Sequence, residues 1–160
     1  MKATPRRAAS VPAHQRPLWT CPRCGNLFVT RNLWHSCVRY TLDHHFRGKP
    51  RARALFDRFR KVLGSFGPVR MVVSKTRIAF MVRVRFAGVT RVRPDSLRCS
   101  IWLTRRVASK RWTRVDRYAP KAYVYQFDVR EPRDLDAEIR RFLRESYAVG
   151  CQLHRVAGPG

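Results

Sequence analysis

Apolar residues recur along the chain with two different periods, and the switches between them mark out the elements. From Arg51 onward, Leu55, Phe56, Phe59, Val62 and Leu63 fall on one stripe, the spacing of an amphipathic helix, and Gly64 with Gly67-Pro68 ends it. The period then shortens to two. Residues 69–74 predict a short strand, and residues 77–86 put Ile78, Phe80, Val82, Val84 and Phe86 on one face against Arg77, Ala79, Met81, Arg83 and Arg85 on the other. Residues 97–106 repeat the alternation, with Leu97, Cys99, Ile101 and Leu103 opposite Arg98, Ser100, Trp102, Thr104 and Arg106. Less regular strands are expected at 112–118 and 122–129, with a basic hairpin loop over 105–117. The helical period returns over 134–147, where Leu135, Ile139, Phe142, Leu143 and Ser146 share a stripe. Asp134, Asp136 and Glu138 lead that helix and Arg140, Arg141 and Arg144 follow, the polarity that a helix dipole favours, and Gly150 is its expected stop.

Helix, about five strands, helix is the order of an α+β domain in which one antiparallel sheet carries both helices on its apolar face. That domain is expected over residues 50–152, with a basic Pro/Arg/Ala tail at 1–18, a small finger at 19–49 closed by Gly48-Lys49-Pro50, and a second tail at 153–160. No stretch approaches the roughly 18–20 consecutive apolar residues of a membrane span. Arg6-Arg7 has no apolar run behind it, so neither a secretory nor a twin-arginine signal is expected. The expected location is therefore the cytoplasm, where a Cys-x-x-Cys pair means metal or redox chemistry rather than a disulfide.

The formal charge is +25, and its distribution says more than its total. Residues 1–56 carry eleven Lys/Arg and one acid, residues 57–127 carry eighteen and three, and residues 128–160 carry six of each. The surplus thus lies in the finger and the middle of the chain, and a field of one sign attracts polyanions, of which phosphate backbones are the commonest. Twenty-nine of the 35 basic residues are Arg. A GC-rich genome accounts for Arg in place of Lys, but not for so few acids.

Cys21-Pro-Arg-Cys24 presents two thiolates from a tight turn, and twelve residues separate Cys24 from Cys37, the third-ligand position of a common finger spacing. The fourth ligand of a structural Zn2+ is open among His35, His45 and His44, in that order of preference. A segment whose only core is Trp19, Phe28, Leu33 and Trp34 needs a metal to fold. A thioredoxin-like pair lacks its strand–helix–strand setting, and a zinc deaminase needs a His-x-Glu upstream, whereas no glutamate precedes Glu131.

On the polar faces of the two best strands, Arg77, Arg83, Arg85, Arg98 and Arg106 surround Trp102, and Lys110 and Arg111 follow in the basic run. Guanidinium groups pair phosphates, and an indole stacks an unpaired base, which makes this a candidate surface for RNA or DNA. Alternating Arg on a solvated strand also simply protects a sheet from aggregation. Paired carboxylates for a divalent metal, a Gly-rich phosphate loop, Gly-x-Ser-x-Gly and His-Glu-x-x-His are all missing, so no enzyme is expected. The expected partner is nucleic acid, bound without strong sequence preference, or else a protein docked by the finger.

Taken together, Trp19-Thr-Cys21-Pro-Arg-Cys24-Gly25, Trp34-His35-Ser36-Cys37, His45-Phe46-x-Gly48-Lys49, Lys75-Thr76-Arg77-Ile78-Ala79-Phe80 and Trp102-Leu103-Thr104-Arg105-Arg106 resemble an uncharacterised bacterial family, familiar from high-GC actinobacteria as a domain of unknown function. The resemblance covers about residues 18–152. It implies a cytoplasmic bacterial protein with a small α+β domain similar to the YdhG-like fold. It brings no activity with it.

Overall fold

The structure, a computed structural model, describes residues 11–155. The outer parts of the two expected tails, residues 1–10 and 156–160, lie outside the described residues. In chain order, β1 (Trp19–Thr20) and β2 (Leu27–Phe28) form a hairpin, followed by α1 (Leu42–Phe46) and α2 (Pro50–Gly64). Next come β3 (Arg70–Val73), β4 (Ile78–Met81), β5 (Arg85–Val92), β6 (Leu97–Leu103), β7 (Arg114–Ala119) and β8 (Ala122–Val129), and then α3 (Ala137–Gly150). Short 3-10 turns lie at Ala13–Gln15, Pro132–Asp134 and Leu153–Arg155.

Strands β3 to β8 make one antiparallel sheet of six, in the order β3-β4-β5-β6-β8-β7. Cross-strand partners share a face, so the register defines the core. Ile78 faces Val89, Val89 faces Cys99, Cys99 faces Phe127, and Ile101 faces Tyr125. All of these are buried. Over them lie the apolar stripe of α2 (Leu55, Phe56, Phe59, Leu63) and that of α3 (Ile139, Phe142, Leu143). Phe59 meets Phe80 and Phe127 edge-on, at 5.7 and 6.4 Å between ring centres.

Both helices cover the same face. Ser146, fully buried on α3, donates to the Phe86 carbonyl and accepts from the Trp102 amide at 3.1 Å. It therefore satisfies two backbone groups where β5 and β6 splay beyond the Ala87–Ile101 pair.

The sheet has one strand more than the alternation predicts, because residues 77–86 are not a single strand. The chain reverses at Val82–Val84 between β4 and β5, and the amides of Arg83 and Val84 donate to the Gly150 carbonyl at 2.9 and 3.1 Å. An outside acceptor thus stabilises a turn inside an unbroken period-2 pattern. Most of β5 carries no period-2 signal, because Phe86-Ala87-Gly88-Val89 is buried without alternation. The basic run at 105–117 is also not a hairpin loop between neighbouring strands, since β6 pairs with β8 and β7 is the edge.

The start of the last helix shifts as well. Asp134 closes the 3-10 turn by accepting from the Arg130 and Glu131 amides, and Asp136 caps α3 by accepting from Ile139 N at 2.9 Å. Those acids therefore act as caps rather than as a helical first turn. The expected stop, Gly150, is the last residue of α3, and Gln152 (φ 62°) takes the left-handed conformation instead.

Gly150 is required for packing: a Cβ there would stand 2.8–3.0 Å from the buried Phe86 side chain. Gly64, at the end of α2, has open space around it. Urea denaturation should therefore separate two formally identical changes. Gly64→Ala should stabilise by about 0.5–1 kcal/mol through helix propensity and unfolded-state entropy. Gly150→Ala should destabilise by about 1–3 kcal/mol through overpacking, despite the same propensity gain.

Candidate functional site

The β1–β2 hairpin exists to shape a turn. The Cys21 amide donates to the Asn26 carbonyl and the Gly25 amide to the Cys21 carbonyl, both at 2.8 Å, with Gly25 at φ 74°. Glycine is the residue that takes this left-handed conformation without strain. The turn aims both Cys sulfurs the same way, and they are met by the segment that returns after β2.

Cys21 Sγ lies 3.8 Å from Cys37 Sγ, and His35 Nε2 lies 3.3 Å from Cys24 Sγ and 3.4 Å from Cys37 Sγ. All four donor atoms fall within 4.8 Å of one another, so this is a Cys3His cluster able to hold one metal ion. His35 is oriented from behind, because its Nδ1–H donates to the Leu33 carbonyl at 2.7 Å and leaves Nε2 free as a ligand. Its ring packs on Phe28 at 4.4 Å.

The other two histidines are placed elsewhere. His44 and His45 donate through Nε2 to the carbonyls of Lys75 and Ser74, at 3.0 and 2.8 Å, and fasten α1 to the β3–β4 turn. The adjacent Phe46 is buried in the main core.

The electrostatics of the cluster match a cation site. Burial pushes the Cys21 thiol up, but the backbone amides of Cys24 and Arg23 outweigh it and bring the thiol down to about 6. Burial, reinforced by the neighbouring Cys21 and Cys24 sulfurs, pushes Cys37 up to about 11. The hydrogen bond to Leu33, with the nearby Cys24, raises His35. One thiolate forms readily, then, while a third needs a positive ion beside it. Cys99, by contrast, is wholly buried in the sheet core, and Cys151 lies apart from the cluster beside Tyr147.

The sheet face away from the helices brings some of the sequence-selected cations together and commits others. Arg85 lies over Trp102, 5.7 Å from the ring centre, and Arg77 lines the same cleft. Arg83 bonds Gln152 at 3.1 Å and the Arg16 carbonyl. Arg98 is locked in a two-point pair with Asp128 at 2.8 and 3.1 Å, which holds that carboxyl below its ordinary range. Arg106 stacks on Tyr123. Lys110 is exposed, and Arg111 is tied to Asp136 and to the Asp134 carbonyl at the start of α3. The basic run is thus partly an anchor for α3.

Tyr118 and Gln126, which the alternation does not mark as site residues, complete this face. Tyr118 packs 5.3 Å from Trp102, and Gln126 stands opposite Ser100 across β6 and β8. Trp34 and Leu33, expected in the core of the finger, are instead exposed, Trp34 to 91%, so the finger's own core is smaller still. Two cavities of about 530 and 170 Å³ lie along the face, and one of about 320 Å³ lies at its end, walled also by Val149 of α3 and the turn that follows; Arg85 lines all three.

A family model described as a domain of unknown function (DUF5655) matches residues 42–150, from α1 to the end of α3. The cluster at Cys21–Cys37 lies before that span. Neither a curated protein nor a solved structure matches the chain. Among the described residues no helix is long and apolar enough to cross a membrane.

Loading with cobalt(II) as a spectroscopic probe should give a tetrahedral spectrum at one ion per chain. His35→Ala or Cys37→Ser should weaken binding by well over the roughly 10–100-fold typical of an outer-sphere change, whereas His45→Ala should leave it unchanged. Because the metal must displace thiol protons, apparent affinity should fall as pH falls.

Proposed function

The chain belongs to the DUF5655 family, and from that premise we propose that it is a cytoplasmic, zinc-stabilised, non-catalytic protein that binds single-stranded RNA or DNA without strong sequence preference, along the open face of its sheet. Zinc is favoured by size and softness. With Zn–S near 2.3 Å and Zn–N near 2.0–2.1 Å, a tetrahedron has S–S edges of about 3.8 Å and S–N edges of about 3.6 Å, close to the 3.8, 3.3 and 3.4 Å separations here. Four protein ligands leave no open position for a reacting water, which favours a structural ion.

One observation carries the nucleic-acid reading. The two cavities along the open face and the one at its end share Arg85, run from Trp34 to Trp102 and Tyr118, and have no Asp or Glu in their walls. Most of the carboxylates are spent elsewhere, in pairs such as Asp43–Arg47, Asp57–Arg53, Asp128–Arg98 and Glu145–Arg105. What remains is a track of aromatic platforms interleaved with cations (Arg77, Arg85, Lys121, Arg155), the combination that grips a strand whose bases are unpaired.

The exposed Trp34, with Val38 also exposed beside the cluster, favours a second reading in which the finger docks a protein and the charge is genomic background. A complex that survives nuclease treatment would support that reading.

In fluorescence titrations with a single-stranded oligonucleotide, log K should fall linearly with log salt, at about −0.7 per phosphate neutralised. Trp102→Ala should cost about 1–3 kcal/mol if one base stacks there. A flat salt dependence contradicts the proposal.

A further inference from the structure

The middle cavity of the open face, about 170 Å³, is built differently from its neighbours. Its floor is made of small residues, Ala79, Gly88 and Ser100, aligned across β4, β5 and β6. A Cβ at position 88 would stand 3.4 Å from Ser100 Oγ, so glycine leaves that hydroxyl uncovered. Ser100 is only 7% exposed as a residue, but its hydroxyl reaches the cleft and makes no hydrogen bond among the described residues. Such a hydroxyl can donate to an acceptor bound in the cleft.

Above it, Arg77 and Arg85 line the rim, and among the described residues neither forms an ion pair with a carboxylate. Burial first, and the neighbouring Arg77 second, disfavour the charge on Arg85, which an anion in the cleft would offset. Trp102, Tyr118 and the side chain of Gln126 form the remaining wall.

The geometry points to a phosphate-monoester subsite in this cleft, occupied by the terminal phosphate of a strand or by a free nucleoside monophosphate. A monoester offers three terminal oxygens and a charge of about −1.5 to −2 at neutral pH, whereas a bridging phosphate has two such oxygens and a single charge. Two guanidinium groups and one cleft-facing hydroxyl supply three donor groups for three oxygens, and two positive charges for nearly two negative ones. The attached sugar and base would lie toward Gln126, Trp102 and Tyr118. The inference deepens the nucleic-acid reading and rests on it only for the strand form of the ligand.

The test uses the zinc-loaded full chain at fixed salt. Binding is compared for one oligonucleotide bearing a 5′-phosphate or a 5′-hydroxyl, and for adenosine 5′-monophosphate against adenosine, in the wild type, Ser100→Ala and Arg77→Gln. The terminal phosphate is expected to raise affinity about tenfold, the net worth of about one charge-assisted hydrogen bond, and both variants should lose most of that preference. The readout is the ratio of 5′-phosphate to 5′-hydroxyl affinity within each variant, which a general loss of binding or of fold would not move. If both oligonucleotides bind equally with steep salt dependence, the groove stands and the subsite is overturned. If the monophosphate binds through Ser100 while neither strand does, the subsite stands and the nucleic-acid reading falls. If nothing binds, both fall.

Discussion

A six-stranded sheet of this size can hide one face with the helices available to it, and that one-sidedness governs everything else. Both α2 and α3 lie on the face that carries Phe80, Val89, Cys99, Ile101 and Phe127. Burial of those side chains is the main driving force for folding. Ser146 fixes where α3 sits, because it bonds both the Phe86 carbonyl and the Trp102 amide in the gap between β5 and β6. The same contact holds Trp102 so that its indole projects to the opposite face, beside Arg85. A core contact thus positions a surface aromatic.

The uncovered face then has to be solvated, partnered or filled. Its residues are small in the middle (Ala79, Gly88, Ser100) and cationic or aromatic around them, which is unlike an ordinary wet strand face. The finger is the other device at this face. Phe28, Leu33 and Trp34 form one wall of the 530 Å³ cavity, and Arg70 reaches from β3 to the Leu27 carbonyl at 3.2 Å. With so little apolar area of its own, the finger depends on the Cys3His cluster for its shape. The three sulfurs repel one another as thiolates, so the metal-free finger contains a conflict that a divalent ion resolves.

Much of this architecture is legible in the chain. The stripes of α2 and α3 and the alternation of β6 follow directly from periods of 3.6 and 2, and the Cys-x-x-Cys with Cys37 announces a metal turn. What escapes is tertiary in origin. The reversal at Val82–Val84 depends on a carbonyl 66 or more residues away, at Gly150. The order β6-β8-β7 depends on how the basic connection is tied to α3 through Arg111, and periodicity carries no trace of that. The choice among three histidines turns on the Leu33 carbonyl behind His35 and on the turn carbonyls that engage His44 and His45. Six arginines of one sign on paper become very different groups in space: Arg98 is neutralised by Asp128, Arg111 is an anchor, and Arg77 and Arg85 are free to meet a ligand.

The central claim is that the open face of the sheet, and not the helical side, meets the polyanion. The helical side has its own basic cleft, lined by Arg58, Lys61 and Arg140 between α2 and α3. Backbone and indole amide resonances of the isotope-labelled, zinc-loaded protein, followed by NMR during titration with a single-stranded oligonucleotide, distinguish the two directly. The account predicts shifts at the Trp34 and Trp102 indoles and along β4, β5 and β6, with the outer surfaces of α2 and α3 unmoved. Shifts confined to the helical cleft, or none at saturating oligonucleotide, would contradict it.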